Sequence, residues 1–367
     1  MTGGTPDPSV AAEALRADVH RTLVLDRILA GEDNGERLTF GSVRHLAVEA
    51  SGSVVVEDAM GRAVVRVGPD GEFKDSLGRV GPGPGEYQYP FGIAAFPDGS
   101  VAVRDNEPPS IILFDSLGGF IREWTLFDRV KTADGLDVEI SADSGGQLRF
   151  LVPFGRSRSL YDVPDFGFVV LTPTGEIIDS VPPPATSWDG AQVWGEYQPR
   201  KHVAWHPSGF PIVGMSDAYH LELRRPEGTV LIERPYEPVP VSPAEKEVHR
   251  VTMAWERARG AQHVDDRPPP PDFKAAYSRI LVARTGEIWV FRHGIGEEWA
   301  ALDIGHDLSY PLFREPLQAD VFDANGKFLW TIEGDSSIDP KVVSGDTVWA
   351  VVTGEFQEPY VVRYLAR

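Results

Sequence analysis

Gly52 and Gly99 lie 47 residues apart, Gly71 and Gly118 lie the same distance apart, and the residues around each pair recur. The first copy reads Leu46-Ala47-Val48, then Gly52-Ser53-Val54-Val55-Val56-Glu57-Asp58, then Gly71-Glu72-Phe73. The second reads Ile93-Ala94-Ala95, then Gly99-Ser100-Val101-Ala102-Val103-Arg104-Asp105, then Gly118-Gly119-Phe120. Alternating apolar residues signal strands and the glycines signal hairpin turns. The repeated unit is therefore a small antiparallel meander of about four strands, and such a unit must stack on its neighbours to bury its faces.

A period of roughly 40 to 50 residues with this content predicts an all-β chain of propeller blades. Turn glycines at Gly52, Gly99, Gly145 or Gly146, Gly209, Gly286 and Gly345 place six blades. A second glycine follows 19 residues later at Gly71, Gly118 and Gly228, so the fourth blade is a true copy. The third blade stretches this interval to Gly175, with extra residues around Phe154 to Asp165. The fifth stretches it to Gly326, with an insertion from about Gly294 to Pro316. The sixth ends one strand short, and Thr22-Leu23-Val24-Leu25-Asp26-Arg27-Ile28 is expected to supply its outer strand, because closing the ring removes two open edges. These boundaries give a flexible leader over 1–20 and one domain over 21–367, with a helical and polyproline insertion at about 236–275. Within it, Ser242-Pro243-Ala244-Glu245 offers a capping box and predicts a helix from Pro243 to Arg259, with Val248, Val251 and Trp255 on one face. That helix packs on the propeller's side or lies over its central opening.

The balance of 35 basic against 55 acidic residues leaves a net charge of −20, which repels polyanions and argues against nucleic acid and anionic membranes as partners. The absence of cysteine removes disulfides, thiolate metal sites and cysteine nucleophiles together. Glu13, Arg16, Asp18, His20 and Arg21 break up any apolar run near the start, so neither a signal peptide nor a membrane span is expected in the sequence as read. The opening Thr2 to Pro8 reads equally as a flexible leader or as the start of a processed, periplasmic or secreted protein.

The stretch Gly81-Pro82-Gly83-Pro84-Gly85-Glu86-Tyr87, then Pro90-Phe91-Gly92-Ile93-Ala94, Pro97-Asp98-Gly99, Val101 to Asp105 and Ile111-Ile112-Leu113-Phe114-Asp115 resembles the NHL-repeat pattern of bacterial six-bladed propellers. The resemblance covers the first two blades in wording and the fourth to sixth in strand rhythm. It implies a ring of four-stranded sheets with ligands at the central mouth, and no single activity, since such propellers include protein-binding, RNA-binding, lactonase and lyase members.

Aligning the innermost strands on their turn glycines brings His45, Gly92, Glu139, His202, Arg279 and Lys341 to one ring position, with Arg44, Lys201 and Arg200 just before it. These bases either pair with acids such as Asp58, Asp105 and Asp217 or form an anion site by charge-assisted hydrogen bonds. Both blade expansions and the helical insertion belong to this same top face, so function is expected there. The candidate ligand-binding set is Arg44, His45, Lys201, His202, Arg279, Arg292 and Lys341. The leading expectation is a non-enzymatic propeller binding a protein, peptide or anionic small ligand, with no cofactor and no metal. The alternative is a lactonase- or lyase-like enzyme using His202 and His293 as acid and base, or a central divalent ion, calcium being the candidate. Asp58 and Asp105 are expected to fix loops rather than bind calcium, and the four-residue spacing of His202 and His206 falls on a strand with no third ligand evident. Gly81 to Gly85 lacks the Gly-Lys-Ser/Thr of a phosphate loop. Trp289, Trp299, Tyr310 and Trp349 are expected to pack in the core or rim.

Overall fold

The computed structural model describes residues 20–31, 38–125, 140–143, 146–154, 165–172, 174–181, 195–261, 264, 267–303, 309–355 and 357–367. The leader, Glu139, Gly145 and the extra residues of the third repeat at 155–164 lie outside them.

Four sheets have four strands each, and one has eight. Each four-stranded sheet is an antiparallel meander in simple sequence order: Val43–Val48 through Phe73–Ser76, Pro90–Ala95 through Phe120–Thr125, Ile140–Ala142 through Ile177–Val181, and Lys201–His206 through Gly228–Glu233. The eight-stranded sheet contains two further meanders. One runs Arg279–Val282, Ile288–Phe291, Leu317–Phe322, Phe328–Gly334, and the other runs Ile338–Ser344, Thr347–Thr353, Pro359–Ala366 and then the N-terminal strand His20–Ala30. The N-terminal strand pairs antiparallel with the last strand, Leu23 opposite Ala366 and Ile28 opposite Val362. A short parallel pairing of His20–Thr22 with Thr331–Glu333 joins the two meanders into one sheet.

The turns explain the repeat. Gly52 and Gly99 sit at φ +83° and +84°, the left-handed region that a side chain rarely adopts, so the hairpin after each innermost strand demands glycine at a fixed distance. Core residues lie between neighbouring sheets rather than inside any one. Val55, Val64, Val101 and Ile112 join the first two meanders, Ile111 and Phe150 the second and third, and Ile212 and Val290 the fourth and fifth. Val348 and Ile332 join the fifth and sixth, and Val54 and Val361 join the sixth to the first. Phe168 and Trp205 stack edge to face between the third and fourth, 5.2 Å apart. Sheets packed face to face in cyclic order make a β-propeller. Trp289 and Trp349 belong to this core, whereas Trp299 lies under the Arg314 guanidinium at 3.1 Å.

The insertion before the fifth meander forms a helix, α1 (Pro243–Ala258), and both halves of its capping box are made: Glu245 N–H donates to Ser242 Oγ at 3.2 Å, and Ser242 N–H to Glu245 Oε2 at 2.8 Å. Its buried stripe differs from the expected one. Glu245, His249 and Met253 face inward, while Val248, Val251 and Trp255 are only half-buried. A carboxylate occupies the inner face because a buried cation meets it there. The insertion after Gly294 is a hairpin of Glu297–Asp303 and Ser309–Arg314, and α1 packs against its second strand.

Candidate functional site

Asp58 and Asp105 perform the same structural task. Asp58 accepts from the N–H groups of Gly41, Ser42 and Met60 at 3.1, 2.8 and 3.2 Å, and Asp105 from those of Gln88, Tyr89 and Glu107 at 2.7, 2.6 and 3.3 Å. Each ties down the loop entering its meander. They are not the partners of the mouth bases. Asp58 precedes the turn at Met60, whereas its neighbour Glu57 points to the opposite face of the strand, as the two-residue period requires.

Glu57 is fully buried and meets both Arg44, at 3.5 Å, and His45 Nδ1. Arg44 also lies over the Phe91 ring, 4.4 Å from its centre. Across the mouth, Asp339 receives Arg279 at 3.1 Å and Lys341 at 2.7 Å. Burial works against the Asp339 charge, but these two cations outweigh it and hold its carboxyl below the usual aspartate value. Arg44, His45, Arg284 and Lys341 line an axial recess of 230 Å³ walled by inner strands of the first, second, third, fifth and sixth meanders. Arg284 donates to the Val48 carbonyl in this recess. Among the described residues, Arg44, Arg284 and Lys341 line this recess and no carboxylate residue does.

Lys201 and His202 open the inner strand of the fourth meander, opposite Met215 and Gly214. His202 packs on Tyr277 with ring centres 5.0 Å apart, and its Nε2 is buried without a hydrogen-bond partner. Burial, with Arg200 and His293 adding repulsion, pushes its pKa down to about 3, so the ring is neutral at physiological pH. His206 is separate: its Nε2 faces the Gly286 carbonyl at 2.9 Å, and its Nδ1 accepts from Ser208 N–H at 3.0 Å.

The remaining two candidates stand at the end of the fifth meander's second strand. His293 Nδ1 lies 2.8 Å from Glu315 Oε2, which also accepts from Gly294 N–H at 3.1 Å. Glu315 belongs to a buried cluster that the sequence did not announce. Lys274, fully buried, reaches Glu245 at 2.6 Å, Glu315 at 2.8 Å and the Gly294 carbonyl at 3.0 Å. Tyr197 donates to Glu245 at 2.9 Å and packs edge-on to His293. Burial opposes ionisation of Glu245 and Glu315, yet the hydrogen bonds they accept, Lys274's among them, hold both below the usual glutamate value. This cluster pins α1, the hairpin and the strand end together on one face. The only sequence signal was a lysine inside the apolar run Phe273 to Tyr277.

No family model matches the chain, and no curated protein matches it in sequence. Solved structures share its fold. A member of the DUF4221 family from Bacteroides vulgatus is 12% identical over 94% of this chain and 97% of its own, with a TM-score of 0.57. A presumed exported protein from Bacteroides fragilis is 12% identical over 94% of this chain and 95% of its own, with a TM-score of 0.52. A gluconolactonase from Xanthomonas campestris aligns more loosely, 12% identical over 96% of this chain and 99% of its own, at a TM-score of 0.41. At such identities the likeness concerns the fold alone, a β-propeller. No helix among the described residues is long and apolar enough to cross a membrane.

Proposed function

We propose that the protein is a six-bladed propeller of the NHL-like bacterial type, its ring closed by the N-terminal strand, and that it binds an anionic group non-enzymatically at its axial mouth. The group belongs to a small ligand, a peptide or a partner protein. One observation carries this reading: a chain of net charge −20 lines its axial recess with Arg44, Arg284 and Lys341 and, among the described residues, with no carboxylate. Low-dielectric walls focus that potential on whatever enters. Arg44, His45, Lys201, His202, Arg279 and Lys341 are the proposed contacts. The mouth does not fit a calcium ion, because the oxygens of Glu57 and Asp339 are already held by Arg44, His45, Arg279 and Lys341.

Calorimetric titration with malonate, succinate and inorganic phosphate tests the proposal. The Lys341→Gln/Arg279→Gln double variant should weaken binding at least about tenfold, and rising salt should weaken it in the native protein. Binding that ignores both would refute it.

A second reading, a lactonase- or lyase-like enzyme, is favoured by the His293–Glu315 pair. An ionised Glu315 fixes a proton on His293 Nδ1 and leaves Nε2 as a base, with neutral His202 nearby. Turnover of lactones or esters that is abolished in His293→Ala would establish it.

A further inference from the structure

Position 292 differs from its counterparts in the first two copies of the repeat. Six residues after the turn glycine, the first two meanders carry Asp58 and Asp105, and the fifth carries Arg292 after Gly286. In the first two, the aspartate accepts from backbone N–H groups 17 and 16 residues earlier. The corresponding groups of the fifth belong to Ala275 and Ala276, and they are served instead by carbonyls of the preceding segment, Tyr197 at 3.1 Å and Ser216 at 2.8 Å. The structural duty of the aspartate has moved elsewhere, and the position is released.

Arg292 does not take up a new structural duty of comparable strength. Its backbone N–H donates to the Gln318 carbonyl at 2.9 Å, but its guanidinium makes no hydrogen bond among the described residues. Its one ionic neighbour among the described residues is buried Asp320, 3.5 Å from Nε. Asp320 is already satisfied by Tyr219 at 2.9 Å and Thr331 at 2.8 Å, and it shares its charge with Arg234. With 28% of its side chain exposed, Arg292 faces a recess of 350 Å³ between the ends of the fourth and fifth meanders. Tyr236, Ala276, His293, Ile295 and Gln318 are among the other residues that line it. Ile295 is 73% exposed at the edge, an apolar side chain in water beside an unspent guanidinium. Glu237, also on this lining, is exposed to solvent.

We propose that this lateral recess is a second ligand site, distinct from the axial mouth, which takes a monocarboxylate bearing a short apolar chain. The guanidinium fork matches a planar carboxylate in two parallel hydrogen bonds. A single unspent arginine, partly offset by Asp320, suits one negative charge and not the two of a phosphate monoester. Ala276 and Ile295 supply apolar contact for the chain, and the volume lies within the range of small-molecule pockets.

The experiment is a calorimetric titration of the full chain with acetate, butanoate, hexanoate and octanoate, with hexanamide and hexylamine as shape controls. Affinity should rise from acetate to hexanoate, and neither control should bind. Arg292→Gln should lose at least about tenfold in hexanoate affinity, and Arg292→Lys should recover only part of it. Ile295→Ser, at an exposed position that folding does not depend on, should flatten the dependence on chain length. The same series in the Lys341→Gln/Arg279→Gln background, which disables the axial mouth, should still show the loss on Arg292→Gln. Equal binding of hexanamide, no binding of any acid, or disappearance of the Arg292→Gln effect in that background would overturn the lateral site. Because the axial mouth is disabled in that background, these outcomes are separable from whether malonate and phosphate bind at the axis.

Discussion

Lys274→Met removes the cation on which α1, the hairpin after Gly294 and the fifth meander converge. Its ammonium is fully buried with three short contacts, to Glu245, Glu315 and the Gly294 carbonyl. Removing one partner of a buried ion pair costs about 3 to 5 kcal/mol, because the other charge is left without compensation. Here the lower end applies. Glu245 keeps its bonds from Tyr197 and Ser242, and Glu315 keeps His293 and the Gly294 N–H, so neither carboxylate is orphaned. A loss of about 3 kcal/mol in urea unfolding at pH 7 is expected. The pH dependence tests the cause. Both glutamates sit below their usual pKa in the native protein, so the stability they contribute is present above the unfolded value near 4.5 and is lost as pH falls through the folded values. Without Lys274 the depression is reduced, and the gap in stability between the two proteins should narrow as pH falls below about 4.5. Hydrogen exchange should show the loss concentrated in α1. A cost below about 1 kcal/mol, or one that does not change with pH, would refute the claim that the ion cluster holds the insertions in place.

Asp58→Ala and Asp105→Ala should each cost about 2 kcal/mol by chemical denaturation, since each strips an acceptor from three backbone N–H groups, and the two values should agree to within a few tenths. Gly214→Ala places a methyl 2.2 Å from the Tyr277 hydroxyl and should cost about 1 to 3 kcal/mol, and a double-mutant cycle with Tyr277→Phe should recover much of it. His202 has its pKa pushed down to about 3, so the unfolded chain takes up a proton near pH 6.5 that the folded chain refuses. Stability should therefore fall as pH drops below 6.5, and His202→Gln should remove roughly 3 kcal/mol of that decline by pH 4 in pH-dependent urea unfolding.

The turn glycines were legible because left-handed backbone geometry leaves glycine little competition, so their spacing survives where the strands between them drift. The capping box of α1 was legible for the same reason: both halves are local and lie within four residues. Long-range partnerships were not. Glu57 and Asp58 are adjacent carboxylates with unrelated tasks, one facing the mouth bases and one tying a loop, and strand alternation alone could have separated them. The buried face of α1 was misread because Glu245 looks polar from its neighbours, and only Lys274, 29 residues on, makes it an interior residue.

The repeat matters most where it fails. A propeller can change one blade without disturbing the others, because each sheet packs only on its two neighbours. The fifth meander uses that freedom twice, accepting the hairpin after its second strand and carrying Arg292 where the first two meanders carry a loop-tying aspartate. The exchange is tolerated because carbonyls of Tyr197 and Ser216, in and before the fourth meander, take over the amides of Ala275 and Ala276. Once those amides are satisfied from outside, a cation at position 292 leaves no orphaned donor behind it. Ala275 and Ala276, the residues so satisfied, then wall the recess that Arg292 faces, so the loop that the repair holds in place bounds the space in which the cation acts.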